Sequence, residues 1–215
     1  MIKVVSLDIG GTIIETNSIS NYTLKKLTSI VNKPYEEVRK IYKNIFQKQK
    51  GTLEELVNSF CEELNIDINN NISSFFKEKF SLENNKFTMN NKIEKIVQKL
   101  KEKGLKIILS SNSCCLIENN FSTSFLENID DVFYSYNLGY TKEDKEFYSI
   151  IETKLNYKPE HFLHIGDTLE NDYLFPKKYG WNAIYYGENF NQEIDSITNL
   201  EEIINIVVER NNKEN

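Results

Sequence analysis

The distribution of apolar residues divides the chain into two kinds of region. Residues 4–7 form a short, largely apolar run that is followed by Asp8 and two glycines, which predicts a buried strand running into a glycine-rich turn. Between about residues 18 and 80 the apolar positions recur at intervals of three and four, which predicts helices and no strand. After residue 87, apolar runs of strand length alternate with stretches of helical spacing.

The alternating region predicts a sheet with helices on both faces. The strands predicted there are residues 105–109, 132–136, 161–165 and 182–186, and the predicted helices are residues 93–103, 145–155, 171–179 and 200–209. Strands that alternate with helices and are apolar on both faces are typical of a doubly wound parallel sheet. The prediction is therefore a three-layer α/β core of residues 1–15 and 84–215, with an α-helical cap of residues 16–83.

Composition and charge narrow the class of protein. A chain of 215 residues, 40% of them hydrophobic, is long enough for a full core and a small accessory domain. With a net charge of -6 it lacks the basic field that holds a nucleic-acid backbone, so no nucleic-acid partner is expected. The three cysteines include an adjacent pair, which suits neither a disulfide framework nor a zinc site. No apolar run reaches the roughly 20 residues that span a bilayer, so we expect a cytoplasmic protein without a membrane partner.

Polar side chains stand at or just after the ends of several predicted strands. They include Asp8, Ser111, Lys142 and Asp167. In parallel sheets the carboxyl ends of the strands form the edge at which ligands bind, so these side chains are expected to converge. Asp8, Asp167 and the nearby Asp172 offer the carboxylate oxygens that Mg²⁺ prefers. One histidine, His164, lies within an apolar run and is predicted to be a core residue with its hydrogen bonds satisfied.

These residues occur in the order found in a known enzyme family. The chain resembles the haloacid-dehalogenase-like (HAD) hydrolases, whose members combine an aspartate loop after the first strand, a Ser/Thr-Asn pair, a lysine and a GDxxxxD segment. The matching segments are Asp8-Ile9-Gly10-Gly11-Thr12, Ser111-Asn112, Lys142, and Gly166-Asp167 through Asp172. The resemblance covers essentially the whole chain, and its helical insertion lies where one subgroup carries a small α-helical cap.

The resemblance implies a function and a set of roles. Asp8 would attack phosphorus and form an aspartyl-phosphate, with Lys142 and Ser111 completing the catalytic set. The implied ligands of a Mg²⁺ ion are Asp8, the main-chain carbonyl of Gly10, Asp167 and Asp172. The implied contacts with the substrate come from Gly11, Thr12, Ser111, Asn112 and Lys142. A carboxylate and a phosphate dianion repel each other, so a metal ion and a lysine suit this chemistry. The expected substrate is a small phosphorylated molecule.

The chain departs from the family pattern at one position. Phosphatases of this family carry an aspartate two residues after the nucleophile, which protonates the leaving group and then activates water, whereas this chain has Gly10. General acid–base help is worth about 10² to 10⁴ in rate, so we expect weak activity on poor leaving groups such as alkoxides.

Three hypotheses follow from Gly10. The protein is a phosphatase for activated leaving groups, or one whose acid comes from the cap or the substrate. Alternatively, it is a C–P or C–halogen hydrolase of the same family. A dehalogenase needs an anion-binding arginine, for which Arg39 of the cap is a candidate, although the expected position of Arg39 is an exposed helix surface. In the third hypothesis it is catalytically impaired and uses the pocket for binding or regulation.

A rival interpretation comes from another fold. Residues 8–12 also resemble the first phosphate loop of sugar kinases with the actin-like fold. Those kinases need two related domains and a strand directly after the loop. This chain is too short for that plan and shows helical spacing after the loop, and the kinase interpretation leaves the later motifs unexplained.

Overall fold

A six-stranded parallel sheet forms the centre of the molecule. The structure is a computed structural model that describes residues 1–15, 23–85, 88–188 and 193–213. The strands are β1 (Val4–Leu7), β2 (Lys106–Ser111), β3 (Asp131–Tyr134), β4 (Phe162–Gly166), β5 (Asn182–Tyr186) and β6 (Ser196–Ile197). They pair in parallel in the order β3-β2-β1-β4-β5-β6, which places the first strand of the chain in the interior of the sheet.

Helices occupy most of the remaining described residues. They are α1 (Leu24–Val31), α2 (Tyr35–Tyr42), α3 (Leu53–Glu63), α4 (Asn70–Asn85), α5 (Ile93–Glu102), α6 (Thr123–Leu126), α7 (Ser135–Leu138), α8 (Lys145–Leu155), α9 (Phe175–Lys178) and α10 (Glu202–Lys213). A π-helical segment, Lys43–Gln47, continues α2, and a second one, Leu169–Leu174, leads into α9. Within the described ranges, every helix is too short or too polar to cross a membrane.

Both faces of the sheet are covered by helices. Val5 and Leu7 pack with apolar residues of α5 and α10 on one face. Val4 packs with apolar residues of α8 on the other face. Because side chains of a strand alternate between the two faces, apolar residues at neighbouring positions require cover on both. The predicted three-layer, doubly wound α/β fold is confirmed.

Helices α1 to α4 share an apolar cluster of their own. The ring of Phe46 stacks on Phe76 with 4.5 Å between ring centroids, and it lies 5.8 Å from the ring of Phe60. The described residues 23–85 contain no strand, as the helical spacing predicts. The predicted start of the cap at residue 16 lies outside the described residues.

The chain enters and leaves this helical insertion through two adjacent segments. The main-chain N–H of Glu15 donates to the carbonyl of Thr88 at 2.9 Å, and the N–H of Asn90 donates to the carbonyl of Ile13 at 2.9 Å. These hydrogen bonds join the two connections next to the loop that follows β1. The insertion is therefore anchored close to Asp8.

Several predicted boundaries are wrong by a few residues. The strand predicted at residues 132–136 ends at Tyr134, because the chain turns there into α7. The strand predicted at residues 105–109 extends to Ser111. Its two serines are polar, but their main chain continues the pairing with β3. The helix predicted at residues 171–179 begins earlier, as a π-helical segment. The pattern also failed to predict α6 and β6, which have four and two residues.

Candidate active site

Three charged side chains meet at the carboxyl end of the sheet. Asp8 follows β1, Lys142 lies between α7 and α8, and Asp172 belongs to the π-helical segment after β4. The Nζ of Lys142 lies 2.5 Å from Oδ1 of Asp8 and 2.6 Å from Oδ1 of Asp172. Lys142 is only 2% exposed, so its charge is balanced by the two carboxylates rather than by water.

The main chain of Lys142 is held on both sides. Its N–H donates to Oδ1 of Asn112 at 2.9 Å, and its carbonyl accepts a hydrogen bond from the hydroxyl of Tyr148 at 2.9 Å. Thr141 donates through its N–H and its hydroxyl to Oδ2 of Asp144, at 2.8 and 3.0 Å. These contacts tie the lysine to the end of β2 and to α8. Asn112, predicted to bind substrate, therefore also positions the lysine.

Both oxygens of Asp172 accept hydrogen bonds. Oδ1, which contacts Lys142, also lies 3.0 Å from Nε2 of His164. Oδ2 accepts from the main-chain N–H of Thr168 at 2.9 Å. Gly166 makes this position possible, because a Cβ there would lie 2.4 Å from Cγ of Asp172. The glycine before Asp167 thus lets Asp172 fold back over the end of β4.

Asp167 completes an acidic cluster. One carboxylate oxygen from each of Asp8, Asp167 and Asp172 lies within 4.8 Å of the others. Gly11 permits the approach of Asp167: its φ is 79°, and a Cβ there would lie 2.0 Å from Oδ2 of that residue. Three carboxylates facing the single ammonium of Lys142 leave a net negative charge. Such a set of hard oxygen donors fits a divalent cation of the Mg²⁺ type.

The protonation of the cluster reflects this excess of negative charge. Burial and the charge of Asp172 raise the pKa of Asp8 to about 7, against the opposing charge of Lys142. Burial and the charge of Asp172 also raise the pKa of Asp167 to about 6. Although burial alone would raise the pKa of Asp172, the Lys142 ammonium and the hydrogen bond from His164 hold it well below its usual range. A divalent cation among these oxygens would favour the ionised forms.

The remaining predicted residues lie at the end of β2 and in the turn after Asp8. Ser111 is the last residue of β2 and is buried. Gly11 and Thr12 belong to the turn after Asp8, where Thr12 is buried. Gly10, at the position of the missing aspartate, is exposed. The predicted site residues thus lie at the carboxyl ends of β1, β2 and β4 or in the segments that follow these strands and β3.

Three buried polar residues lie beneath the cluster and were not predicted to belong to it. Ser6, Ser110 and His164 are on the neighbouring strands β1, β2 and β4, and each is at most 1% exposed. Oγ of Ser6 lies 2.9 Å from Nδ1 of His164 and 2.8 Å from Oγ of Ser110. His164 is therefore a buried histidine with partners on both ring nitrogens, as predicted, but the partner of Nε2 is Asp172 of the acidic cluster. The available signal was a polar residue inside each of three apolar strands.

The helical insertion contacts the loop that carries Lys142. Nη2 of Arg39 lies 2.8 Å from Oε1 of Glu143 and 3.6 Å from Oε2 of Glu170. Lys43 pairs with the same carboxylate of Glu143. Arg39, considered above as an anion-binding residue, is therefore engaged by two carboxylates of the core.

One protein-family model matches most of the sequence. The family is described as haloacid dehalogenase-like hydrolase, and the match covers residues 2–180, which include all four motifs. The chain belongs to this family. The family expected from the motifs is thereby confirmed, and its members are hydrolases. A comparison with functionally curated proteins finds no match.

Solved structures with the same fold include HAD proteins of different activities. A 2-haloacid dehalogenase from Pseudomonas syringae pv. Tomato DC3000 has a TM-score of 0.62 and 15% identity, covering 98% of this chain and 100% of that one. A HAD-family enzyme from Bacteroides thetaiotaomicron, in complex with magnesium and inorganic phosphate, has a TM-score of 0.61 and 18% identity, covering 90% and 99%. A HAD phosphatase from Thermococcus onnurineus has a TM-score of 0.60 and 17% identity, covering 96% and 98%. At these identities the likeness shows the fold alone.

Proposed function

We propose that this protein is a Mg²⁺-dependent phosphatase that hydrolyses a small phosphorylated molecule with Asp8 as its nucleophile. The observation that carries the proposal is the buried contact of Lys142 with Asp8 and Asp172, inside a cluster of three carboxylates. A carboxylate can approach a phosphate dianion only where the negative charge is neutralised. The lysine supplies one positive charge, and the carboxylate oxygens suit a cation that supplies the rest.

The acidic residues divide between the nucleophile and a metal site. Asp8, Asp167 and the main-chain carbonyl of Gly10 would hold Mg²⁺, with Asp172 supporting its water shell. When bound, the metal neutralises charge on the phosphoryl oxygens. The Bacteroides neighbour was solved with magnesium and inorganic phosphate, which supports the choice of Mg²⁺ and of a phosphorylated substrate.

Asp8 carries the covalent chemistry in this proposal. One of its carboxylate oxygens forms a bond to phosphorus while the bond to the leaving group breaks, and the electron pair of that bond departs with the leaving group. Lys142 holds the carboxylate in place during the attack. The groups available to receive phosphoryl oxygens are those of Gly11, Thr12, Ser111, Asn112 and Lys142. Water then attacks phosphorus, which releases phosphate and restores Asp8.

Gly10 sets the class of substrate. A glycine cannot protonate a leaving group, and the loss of general acid–base catalysis raises the barrier by roughly 3 to 5 kcal/mol. We therefore propose substrates whose leaving groups are stable as anions, namely acyl and aryl phosphates. Simple alkyl phosphates are expected to react slowly.

Carbon–halogen cleavage is the second candidate. It is favoured by the fold likeness to a 2-haloacid dehalogenase and by an arginine in the helical insertion. However, Arg39 is already bound to Glu143 and Glu170 of the core. Dehalogenases of this family work without a metal, whereas this chain keeps Asp167 and Asp172 beside Asp8. The phosphatase therefore accounts for more of the site.

The decisive test is hydrolysis of matched aryl, acyl and alkyl phosphates by the purified protein, with Mg²⁺ or with a chelator. Two variants serve as controls: Asp8→Asn removes the nucleophile, and Asp67→Asn makes the same change at an exposed position of the helical insertion. We expect metal-dependent turnover of the aryl and acyl phosphates that Asp8→Asn abolishes and Asp67→Asn retains. Alkyl phosphates should react about 10² times more slowly or worse. Halide release from 2-haloacids without any phosphate hydrolysis would instead establish the second candidate.

A further inference from the structure

We propose that His164 is a positioning residue, whose hydrogen bond from Nε2 orients Asp172 so that Asp172 holds the ammonium of Lys142 against Asp8. The three contacts in this series measure 3.0 Å, 2.6 Å and 2.5 Å. The expected effect of His164 on kcat rests on the phosphatase activity proposed above, whereas its expected effect on the contact between Lys142 and Asp8 does not.

The carboxylate of Asp172 is fixed from several directions. Oδ1 takes hydrogen bonds from both Lys142 and His164, while Oδ2 takes one from the N–H of Thr168. Without the imidazole, Oδ1 would have only the ammonium of Lys142 as a partner, and the N–H of Thr168 alone would hold the carboxylate to the main chain. The imidazole comes from a strand of the sheet, so it gives Oδ1 a partner that does not move with the lysine.

The imidazole is itself held by the sheet. Ser6 and His164 are register partners on β1 and β4, and Nδ1 of the ring lies 2.9 Å from Oγ of Ser6. The hydroxyl of Ser110, on β2, lies 2.8 Å from the same oxygen. A carboxylate can only accept, so a neutral ring must carry its proton on Nε2 and leave Nδ1 to accept from the serine. In the neutral ring, Nε2 then donates to Asp172 and Nδ1 accepts from Ser6.

Packing alone does not explain these polar residues. Two positions earlier on the same strands, Val4, Ile108 and Phe162 occupy the same face of the sheet and pack against α8. Apolar side chains therefore suit this face, and burying polar ones is unfavourable unless they are hydrogen-bonded. The change from apolar to polar occurs at the level of the strands where His164 contacts Asp172. Together, Ser6, Ser110 and His164 provide a fixed hydrogen-bond donor for the carboxylate of Asp172.

Three substitutions of His164 distinguish the loss of its hydrogen-bond donor from the loss of its packing volume. In His164→Gln, the side-chain amide nitrogen can reach the position of Nε2 and keep the hydrogen bond to Asp172. In His164→Asn, the amide reaches only as far as Nδ1, which keeps the contact with Ser6 and loses the one with Asp172. His164→Leu loses both. His161→Gln, at the other histidine of the chain, is the matched control outside the site.

We would measure kcat and KM on an aryl phosphate with Mg²⁺, the melting temperature, and crystal structures of each variant. Removing the orienting donor should lower kcat roughly 10- to 100-fold in the Asn and Leu variants, with KM changing much less. The Gln variant should stay within about threefold of the wild type, well short of the loss caused by removing the donor. In the Asn and Leu crystal structures, Nζ of Lys142 should have left Oδ1 of Asp8.

Two results would overturn the proposal. One is a kcat that follows the melting temperature of the variants and not the presence of a donor near Asp172. The other is an unchanged contact between Lys142 and Asp8 in the Asn and Leu structures. If the wild type hydrolyses no phosphate at all, the proposed function fails, and the crystal structures still decide the role of His164.

Discussion

At the position of Gly10, an aspartate would place a carboxyl group two residues from Asp8. Since Gly10 is exposed, the substitution Gly10→Asp should be tolerated by the fold. We predict that it raises kcat on alkyl phosphates by about 10² to 10⁴, because it supplies the missing proton. Acyl phosphates should gain little from the acid. Steady-state kinetics on both substrates check this, and Gly10→Asn, which has the same size and no acid, is the control. Equal effects of Asp and Asn would show that the gain is not proton transfer.

The sequence indicated the charged residues that meet in the structure better than the polar residues that contact them. Asp8, Lys142 and Asp172 could be predicted because their order along the chain matches a family pattern. Ser6 and His164 could not, because a polar residue in an apolar strand does not show which strand lies beside it. Their partnership depends on the register between β1 and β4, which is a property of the folded sheet.

At the scale of whole elements, ion pairs join the helical insertion to the core. Glu143 accepts from both Arg39 and Lys43, all three of them partly exposed. We predict that Glu143→Gln increases amide hydrogen exchange in α2 and in the adjoining π-helical segment, because Arg39 and Lys43 then lose the carboxylate of the core that they share. Such pairs contribute roughly 0.2 to 1 kcal/mol each, so the free energy of unfolding should fall by no more than about 2 kcal/mol.

Mass spectrometry of exchanged peptides provides the measurement. Glu36→Gln is the matched control, because Glu36 also lies near Arg39, at 3.8 Å, but belongs to α2 itself. High salt should act on the wild type in the same direction as Glu143→Gln, since it screens exposed charges. Equal exchange in both variants would mean that the contact with the core does not hold the insertion in place.

The elements themselves were predicted where one physical signal dominates. β5 and α8 were predicted at their observed bounds, because an apolar run and a helical period define them. The π-helical segment Leu169–Leu174 was predicted only in part, as the start of a helix at residue 171, because no local period reports the close approach of Asp172 to Gly166. Burial leaves a local pattern in the sequence, as it does at β1, whereas a single tertiary contact does not.

For the molecule as a whole, metal binding and folding should be coupled. Asp8 and Asp167 have pKa values of about 7 and about 6, above their ordinary value of 3.8. Without metal, the stability associated with these raised values is present below about pH 4 and is lost as the pH rises through about 6 to 7, because the folded state holds protons that the unfolded state releases. A cation that binds the ionised oxygens offsets this loss.

We therefore predict that Mg²⁺ raises the melting temperature, and more at about pH 8 than at about pH 5.5, because protons compete with the metal for its ligands. At 100 times its dissociation constant, the ion adds about 2.7 kcal/mol of stability. For a chain of this size, each kcal/mol corresponds to roughly 2 to 4 °C. Thermal unfolding with Mg²⁺ or chelator checks this, and Asp167→Asn should remove most of the shift. A shift that persists in that variant would place the metal elsewhere.

The central claim is that Asp8 is the nucleophile, and trapping the phosphorylated enzyme tests it most directly. Because Gly10 cannot activate water against an aspartyl-phosphate, this intermediate should accumulate on an acyl phosphate substrate with Mg²⁺. After an acid quench, borohydride reduction and peptide mass spectrometry would locate the modified residue. We predict modification at Asp8 in the wild type, none without Mg²⁺, and none in Asp8→Asn. Undiminished hydrolysis by Asp8→Asn, or a phosphoryl group on any other residue, would contradict the account.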